Sequence, residues 1–239
     1  MEYPFFDTVV KRQNLPSTMS LAKRMIANSQ MVGNGLIIAK RQTAAVGRSG
    51  KSWVSDFGGI YFTMALYKLQ VEPTITLFCG VVLHRTLKKL FPQIEFQIKW
   101  PNDLMLHSKK VAGILTKFYH RYEYHTIGIG INTNNKPDEK ISQIATCLSD
   151  FVEVDNSQLL EEFFAMFALL LPSFIANGLD VEYLKKYAFL TGKNVLLKTE
   201  FADFRGRVVS HTADGGLVLQ LAQGLKQTFY VGSVVEVEQ

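Results

Sequence analysis

AAVGRSGKSWVSDFGGIYFTMALYKL, residues 44–69, decides how the chain is built around anything it binds. Its first part holds Gly47, Arg48, Gly50, Lys51 and Trp53. It falls one glycine short of a phosphate-binding loop, which wants Gly at the position of Ala45, ahead of Gly50-Lys51-Ser52. The lysine of such a loop must also open a helix, whose terminal amides and dipole hold the anion. Here Trp53, Val54 and Gly58-Gly59 come next, and then the β-rich run IYFTMALY. The segment predicts a glycine loop leading into a strand, which argues against a P-loop nucleotide hydrolase.

Outward from that strand the pattern is mixed. FDTVVKRQ (6–13) alternates like a strand, and LPSTMSLAKRMIAN (15–28) reads as a helix capped by Ser17 or Thr18. GLIIAKRQT (35–43) is a strand running into the loop. PTITLFCGVVLHRTLKKLF (73–91) has helical spacing and ends before Pro92, and FQIKW (96–100) is a strand stopped by Pro101. DLMLHS (103–108) and KKVAGILTKFY (109–119) meet at a polar turn near Ser108-Lys109, and YHTIGIGINTN (124–134) follows as a further strand. Residues 141–187 read as helices, most strongly SQLLEEFFAMFALLLPSF (157–174). After Leu190 come short alternating runs, KNVLLKT, FRGRVVSHT, GGLVLQL and QTFYVGSVVEV, with Asp214-Gly215-Gly216 as a tight turn. We expect a main domain over 1–189 and a small β-barrel over 190–239.

The chain has 239 residues, 47% of them apolar, enough for a sizeable core. Cys79 and Cys147 form no CxxC pair and the five histidines have no zinc spacing, so no structural metal or disulfide frame is expected. No charged-then-apolar leader opens the sequence. The apolar run at 161–174, interrupted by Pro172, reads as a buried helix too short to span a bilayer, and a cytoplasmic location is predicted. The net charge of +5 suits anionic partners such as nucleotide phosphates, acidic proteins or nucleic acid, although scattered lysines account for it equally.

Three blocks carry possible chemistry. In the glycine loop, Gly47 and Gly50 let the backbone bend around a ligand, Arg48 and Lys51 can neutralise phosphates, and Trp53 offers a face to a purine. An ordinary surface loop with a core tryptophan has the same composition. In IKWPNDLMLHSKKVAGIL (98–115), Trp-Pro-Asn-Asp sets a rigid bend bearing Asn102 and Asp103. Lys110 then re-enters an apolar strand that contains Gly113. Partial burial would fix that ammonium beside an anion, while turn formation and a solvated charge are the plainer readings. In IGIGINTN (127–134), glycines alternating with isoleucines admit a close approach, by a ligand or by packed neighbours, and Asn132 both donates and accepts.

Taken in order, with PSTMS before them and a β-rich tail after, KWPNDL, KKVAGIL, GIGIN and GRSGKSW resemble the biotin protein ligase family over nearly the whole chain. The resemblance implies an α+β fold, a mixed sheet backed by helices and related to class II aminoacyl-tRNA synthetases and lipoate ligases, with an SH3-like C-terminal barrel. It implies activation of biotin by Mg2+ and ATP to biotinyl-5'-AMP, and transfer of biotin to one lysine of a biotin carboxyl carrier protein. By the same resemblance Ser17, Thr18 and Gln42 face biotin. Gly47 and Arg48 close over the adenylate, and Trp53 packs beside adenine. Asn102, Gly113 and Asn132 line the site. Lys110 contacts the reacting carboxylate and α-phosphate, and Asp103 orients or deprotonates the acceptor lysine.

Two departures stand out. The family's Gly-Arg-Gly-Arg-x-Gly-Arg is Ala45-Val46-Gly47-Arg48-Ser49-Gly50-Lys51 here, and its Ser-Thr-Asn is Ser17-Thr18-Met19. Because site residues begin at Ser17, a helix-turn-helix domain has no room ahead of them, and no operator-binding function, nucleic-acid partner or membrane partner is expected. The oligomer is a monomer or homodimer. The rival readings are a lipoate ligase or octanoyltransferase on the same scaffold, a non-catalytic biotin binder, and a nucleic-acid-binding tail. Against the last, Phe201, Phe204, Phe229 and Tyr230 are spaced like barrel core.

Overall fold

The computed structural model describes residues 3–69 and 74–238. Seven strands, β1 (Thr8–Leu15), β2 (Gly35–Gln42), β3 (Ile60–Tyr67), β4 (Phe96–Lys99), β5 (Asp103–Leu106), β6 (Lys109–Tyr119) and β7 (Tyr124–Ile131), form one sheet in the order β1-β2-β3-β7-β6-β5-β4. The sheet is mixed. β1 and β2 run parallel, joined by helix α1 (Thr18–Ala27), and every other pair is antiparallel.

The central strand β3 is buried on both faces, and its alternation divides two layers. Ile60, Phe62, Met64 and Leu66 enter the large core under helices α2 (Ile75–Leu90) and α3 (Asn156–Asn177). Tyr61, Thr63 and Ala65 take the opposite face, where Ala65 packs with Ala22 and Ile26 of α1. Strand β7 obeys the same rule: Ile127, Ile129 and Ile131 go to the core, and Gly128 and Gly130 present bare backbone to the other side. Helix α1 packs on that second face chiefly against β2, β3 and β7, and residues of β5 and of the start of β6 line a cavity beside it.

The sequence reading needs several corrections. Pro73, where it began the second helix, lies outside the described residues, and α2 starts at Ile75. Helix α3 continues through Pro172 to 22 residues, long and apolar enough by composition to cross a bilayer. Its Leu159, Phe163, Phe167, Leu171 and Phe174 are buried in the core. Residues 141–155 are not α-helical. Their backbone is drawn to β6 instead, where Lys110 N–H donates to the Ile144 carbonyl (2.8 Å) and Thr146 N–H to the Lys110 carbonyl (3.0 Å). Among the described residues, only α3 and α4 (Val181–Lys186) are α-helices beyond that point.

The C-terminal strands β8 (Asn194–Lys198), β9 (Asp203–His211), β10 (Leu217–Gln220), β11 (Lys226–Phe229) and β12 (Ser233–Glu238) form an antiparallel sheet ordered β11-β10-β9-β8-β12. The run at 227–237, read as one strand, is two, parted at Gly232 (φ 142°). The ring is open, because β11 and β12 occupy opposite edges. Phe204 and Phe229 pack with ring centroids 4.7 Å apart and planes tilted by 57°, Phe229 buried in the core and Phe204 partly buried against it. Phe201 and Tyr230 do not belong with them: Phe201 sits exposed in the turn closed by Thr199, and Tyr230 donates to Asp214. This sheet docks on the β4 edge, where Trp100 Nε1–H donates to the Gly215 carbonyl (3.0 Å) and Phe189 N–H to the Ile98 carbonyl (2.9 Å).

Candidate active site

That cavity, of about 710 Å³, reaches from Ser17 at the start of α1 to Ser233 of β12. Every residue to which the resemblance gives a role lines it: Ser17, Thr18, Gln42, Gly47, Arg48, Trp53, Asn102, Asp103, Lys110, Gly113 and Asn132. Residues far apart in sequence meet here because the strand order places β6 and β7 side by side and folds the 43–59 loop over them.

Lys110 reaches the cavity through a bulge. Met105 pairs with Lys110 and Leu104 with Ala112, so Val111 is an extra residue. Val111 and Ala112 both enter the core, while Lys110 and Gly113 share the cavity face. With strict alternation Lys110 would share a face with Ala112. The hairpin before it turns through His107 (φ 48°) and Ser108 (φ 62°), a two-residue loop with both central residues left-handed. Lys110 Nζ lies 2.5 Å from Asp103 Oδ1 and 5.1 Å from the Trp53 ring centroid.

Trp53 rests on a glycine platform. Gly113 and Gly130 are register partners, and a Cβ on Gly130 would stand 2.5 Å from Trp53 Nε1 and 2.7 Å from Cε2. Gly130→Ala should therefore push the indole off the sheet, at a cost on the order of 1–3 kcal/mol for overpacking. The expected result is a red-shifted tryptophan emission; an unchanged spectrum would show that the platform is not used.

Arg48 is held from two sides. Its guanidinium donates to Asn102 Oδ1 (3.2 Å) and to the Gly232 carbonyl between β11 and β12 (2.6 Å). Burial lowers its pKa from the ordinary arginine value, and Asp103 partly offsets that. Asn102 Nδ2 donates to the Ile114 carbonyl (2.8 Å), so the WPND bend is stitched to β6. The loop around Arg48 is tightly closed, with Gly47 N–H to Lys51 O at 2.7 Å and Gly50 at φ 72°.

At the other end lies a polar chain. Ser17 caps α1, accepting from Ser20 N–H (3.3 Å). Gln42 Oε1 accepts from the Thr18 N–H (2.8 Å) and hydroxyl (3.1 Å), its Nε2 donates to Ser55 Oγ (3.0 Å), and Thr63 Oγ1 donates to Thr18 Oγ1 (2.8 Å). Asn132 lines the wall, but its amide is engaged by protein, donating to Thr146 O and accepting from Asn135.

Sequence reasoning missed Ser55 and Thr63, which carry no motif. It also missed Lys99, the first residue of KWPND, whose side chain enters the cavity. Arg48, Lys51, Lys99 and Lys110 face a single acid, Asp103, among the described residues that line the cavity. Such a space favours an anion with more than one negative charge.

A family model described as the biotin/lipoate A/B protein ligase family matches residues 9–134, more than half of the chain. The chain belongs to this family. Among individual relatives of this ligase, the bifunctional ligase/repressor BirA of Bacillus subtilis (strain 168) is 29% identical over 229 residues, covering 90% of this chain and 70% of the relative. The biotin--[acetyl-CoA-carboxylase] ligase of Paracoccus denitrificans is 30% identical over 113 residues, 44% of this chain and 47% of that one. The biotin protein ligase of Aquifex aeolicus, solved in complex with biotin and ATP, superposes with a TM-score of 0.85 at 24% identity, over 96% of this chain and 98% of that one. That likeness establishes the fold.

The two departures from the biotin ligase motifs now have places. Met19 is seated on Gly128, where a Cβ would meet its Cγ at 2.8 Å and Sδ at 3.0 Å. Val46, in a bridge with Ser52, is 46% exposed on the loop.

Proposed function

We propose that this chain is a biotin protein ligase, which joins biotin to ATP as biotinyl-5'-AMP and then passes biotin to a lysine of a biotin carboxyl carrier protein. The observation that carries this reading is the asymmetry of one cavity: four cations against one carboxylate at one end, and the Ser17, Thr18, Gln42 chain at the other. A ureido ring needs a polar edge in an otherwise apolar hole, and a carboxylate meeting a triphosphate needs fixed positive charge.

In the first step a biotin carboxylate oxygen attacks the α-phosphorus, a P–O bond forms, and the bond to pyrophosphate breaks. Arg48 and Lys110 supply the positive charge for this meeting of anions. Lys110 exchanges its pairing with Asp103 for the incoming oxygens, which frees Asp103 as an acceptor. In the second step the lysine ε-amine attacks the acyl carbon, AMP leaves, and Asp103 takes the proton from nitrogen. Trp53, on its glycine platform, borders the adenine.

Magnesium is implied by the nucleotide. Among the described residues no group of three or more His, Cys, Asp or Glu could cage a metal, and the cavity's one acid is paired with Lys110. The chain's side chains alone would not cage the ion, which would arrive with the ATP phosphates and shield the charge of the leaving pyrophosphate. We read the enzyme as soluble and cytoplasmic, since the stripe of α3 facing the sheet is buried in the core.

The test is to incubate the chain with biotin, Mg-ATP and a carrier domain and weigh the carrier. One added biotinyl group is expected, together with thermal stabilisation by biotin and none by lipoate. Stabilisation by lipoate alone would favour the lipoyl reading, and biotin binding without transfer would favour a silent binder.

A further inference from the structure

Besides Lys51 of the glycine loop, two cations near the site have no task in the steps above. Lys99 ends β4 with its side chain in the cavity, in register with Asp103. Asp103 Oδ1 is taken by Lys110. Lys193 stands just before β8, its backbone fixed by Lys193 N–H to Leu190 O (3.0 Å) and Val208 N–H to Lys193 O (2.9 Å). The two ammoniums share one aromatic ring: Lys193 Nζ is 3.5 Å and Lys99 Nζ 6.0 Å from the centroid of Phe189, itself buried and anchored to β4. Among the described residues neither has an ion-pair partner.

We infer that Lys99 and Lys193 form a distal anion subsite that takes the β- and γ-phosphates of the nucleotide and holds pyrophosphate as it leaves, so that the entry to the C-terminal sheet is part of the nucleotide site. This rests on the ligase reading, because the subsite starts from Lys99 of the same cavity and continues past Phe189 to Lys193. Burial lowers the Lys99 pKa, the charges of Lys110, Lys193 and Lys51 lower it further, and Asp103 alone opposes them. A half-buried cation surrounded by cations is costly unless an anion joins it. Arg48 and Lys110 serve the α-phosphate at the loop and bulge, whereas the Phe189 ring marks the side facing the second sheet. A triphosphate carries enough charge to occupy both.

The test uses the full chain with Lys99→Met, Lys193→Met, the double variant and Lys193→Arg, each checked by thermal melting, with Lys193→Gln in place of Lys193→Met if that variant does not fold. For each, the inhibition constant of inorganic pyrophosphate, the KM for ATP, and transfer from supplied biotinyl-5'-AMP to the carrier are measured. Each Met variant should raise the pyrophosphate constant and the KM for ATP about tenfold, the scale of one charge-assisted contact, and the double variant should raise them more. Lys193→Arg should restore both, and transfer from the supplied adenylate, which contains no pyrophosphate, should change less than about twofold. Folded variants with unchanged constants, or with transfer falling in step, overturn the subsite. If the parent chain makes no adenylate, the ligase reading fails instead. Calorimetric binding of inorganic pyrophosphate to parent and Lys193→Met then decides the subsite: weaker binding by the variant supports it, and equal or absent binding overturns it.

Discussion

Lys110→Ala should form biotinyl adenylate about a hundredfold more slowly than the parent chain, or worse, while still folding. One fixed electrostatic contact in a water-poor site is worth roughly 3 kcal/mol in the transition state. Here the loss is compounded, because removing Lys110 leaves Asp103 without its 2.5 Å partner and so adds an unpaired negative charge where two anions must meet. The core neighbours Val111 and Ala112 are untouched, so the sheet persists. Single-turnover formation of the adenylate from biotin and ATP measures the effect. Asp103→Asn in the Lys110→Ala background should recover stability but little activity. Parent-like turnover by Lys110→Ala would remove the lysine from the mechanism.

Arg48→Gly should release the adenylate about a hundredfold faster. The guanidinium joins the loop to Asn102 of the WPND bend and to the Gly232 carbonyl, and both links are lost together. A charge-assisted hydrogen bond is worth about 1.5–3 kcal/mol, one to two decades in an off-rate. The escaped mixed anhydride should label lysines on bystander proteins, scored by streptavidin blot against a carrier-only control. Strict carrier selectivity, with an unchanged release rate, would mean that the loop does not retain the intermediate.

Much of this fold was legible because β3 leaves the glycine loop where a P-loop would start a helix, and because Ile127, Ile129 and Ile131 alternate with Gly128 and Gly130 at the period of a strand. What those glycines serve was not legible. Spacing shows that something approaches closely, and only the packing shows Trp53 on Gly130 and Met19 on Gly128. The bulge at Val111 was hidden for a similar reason: an extra residue in a ladder appears only once its partner strand is in register. Residues 141–155 misled because their apolar spacing suits a helix, while their backbone is bonded to Lys110. Lys99 was passed over because a lysine ending a strand looks like a solvated charge until the cavity closes around it. Val46 and Met19 were visible as departures from the family motifs, but where their side chains go depends on contacts far away in sequence.

The central claim is that Arg48 and Lys110 converge on one carboxyl-to-phosphorus linkage beside a biotin pocket. Exchange of labelled pyrophosphate into ATP, measured with the full chain and Mg-ATP, addresses it most directly. The account predicts exchange that requires biotin, is not supported by lipoate or octanoate, and falls at least about a hundredfold in Lys110→Ala. Exchange driven equally by lipoate, or biotin-dependent exchange that keeps its parent rate without Lys110, would contradict it.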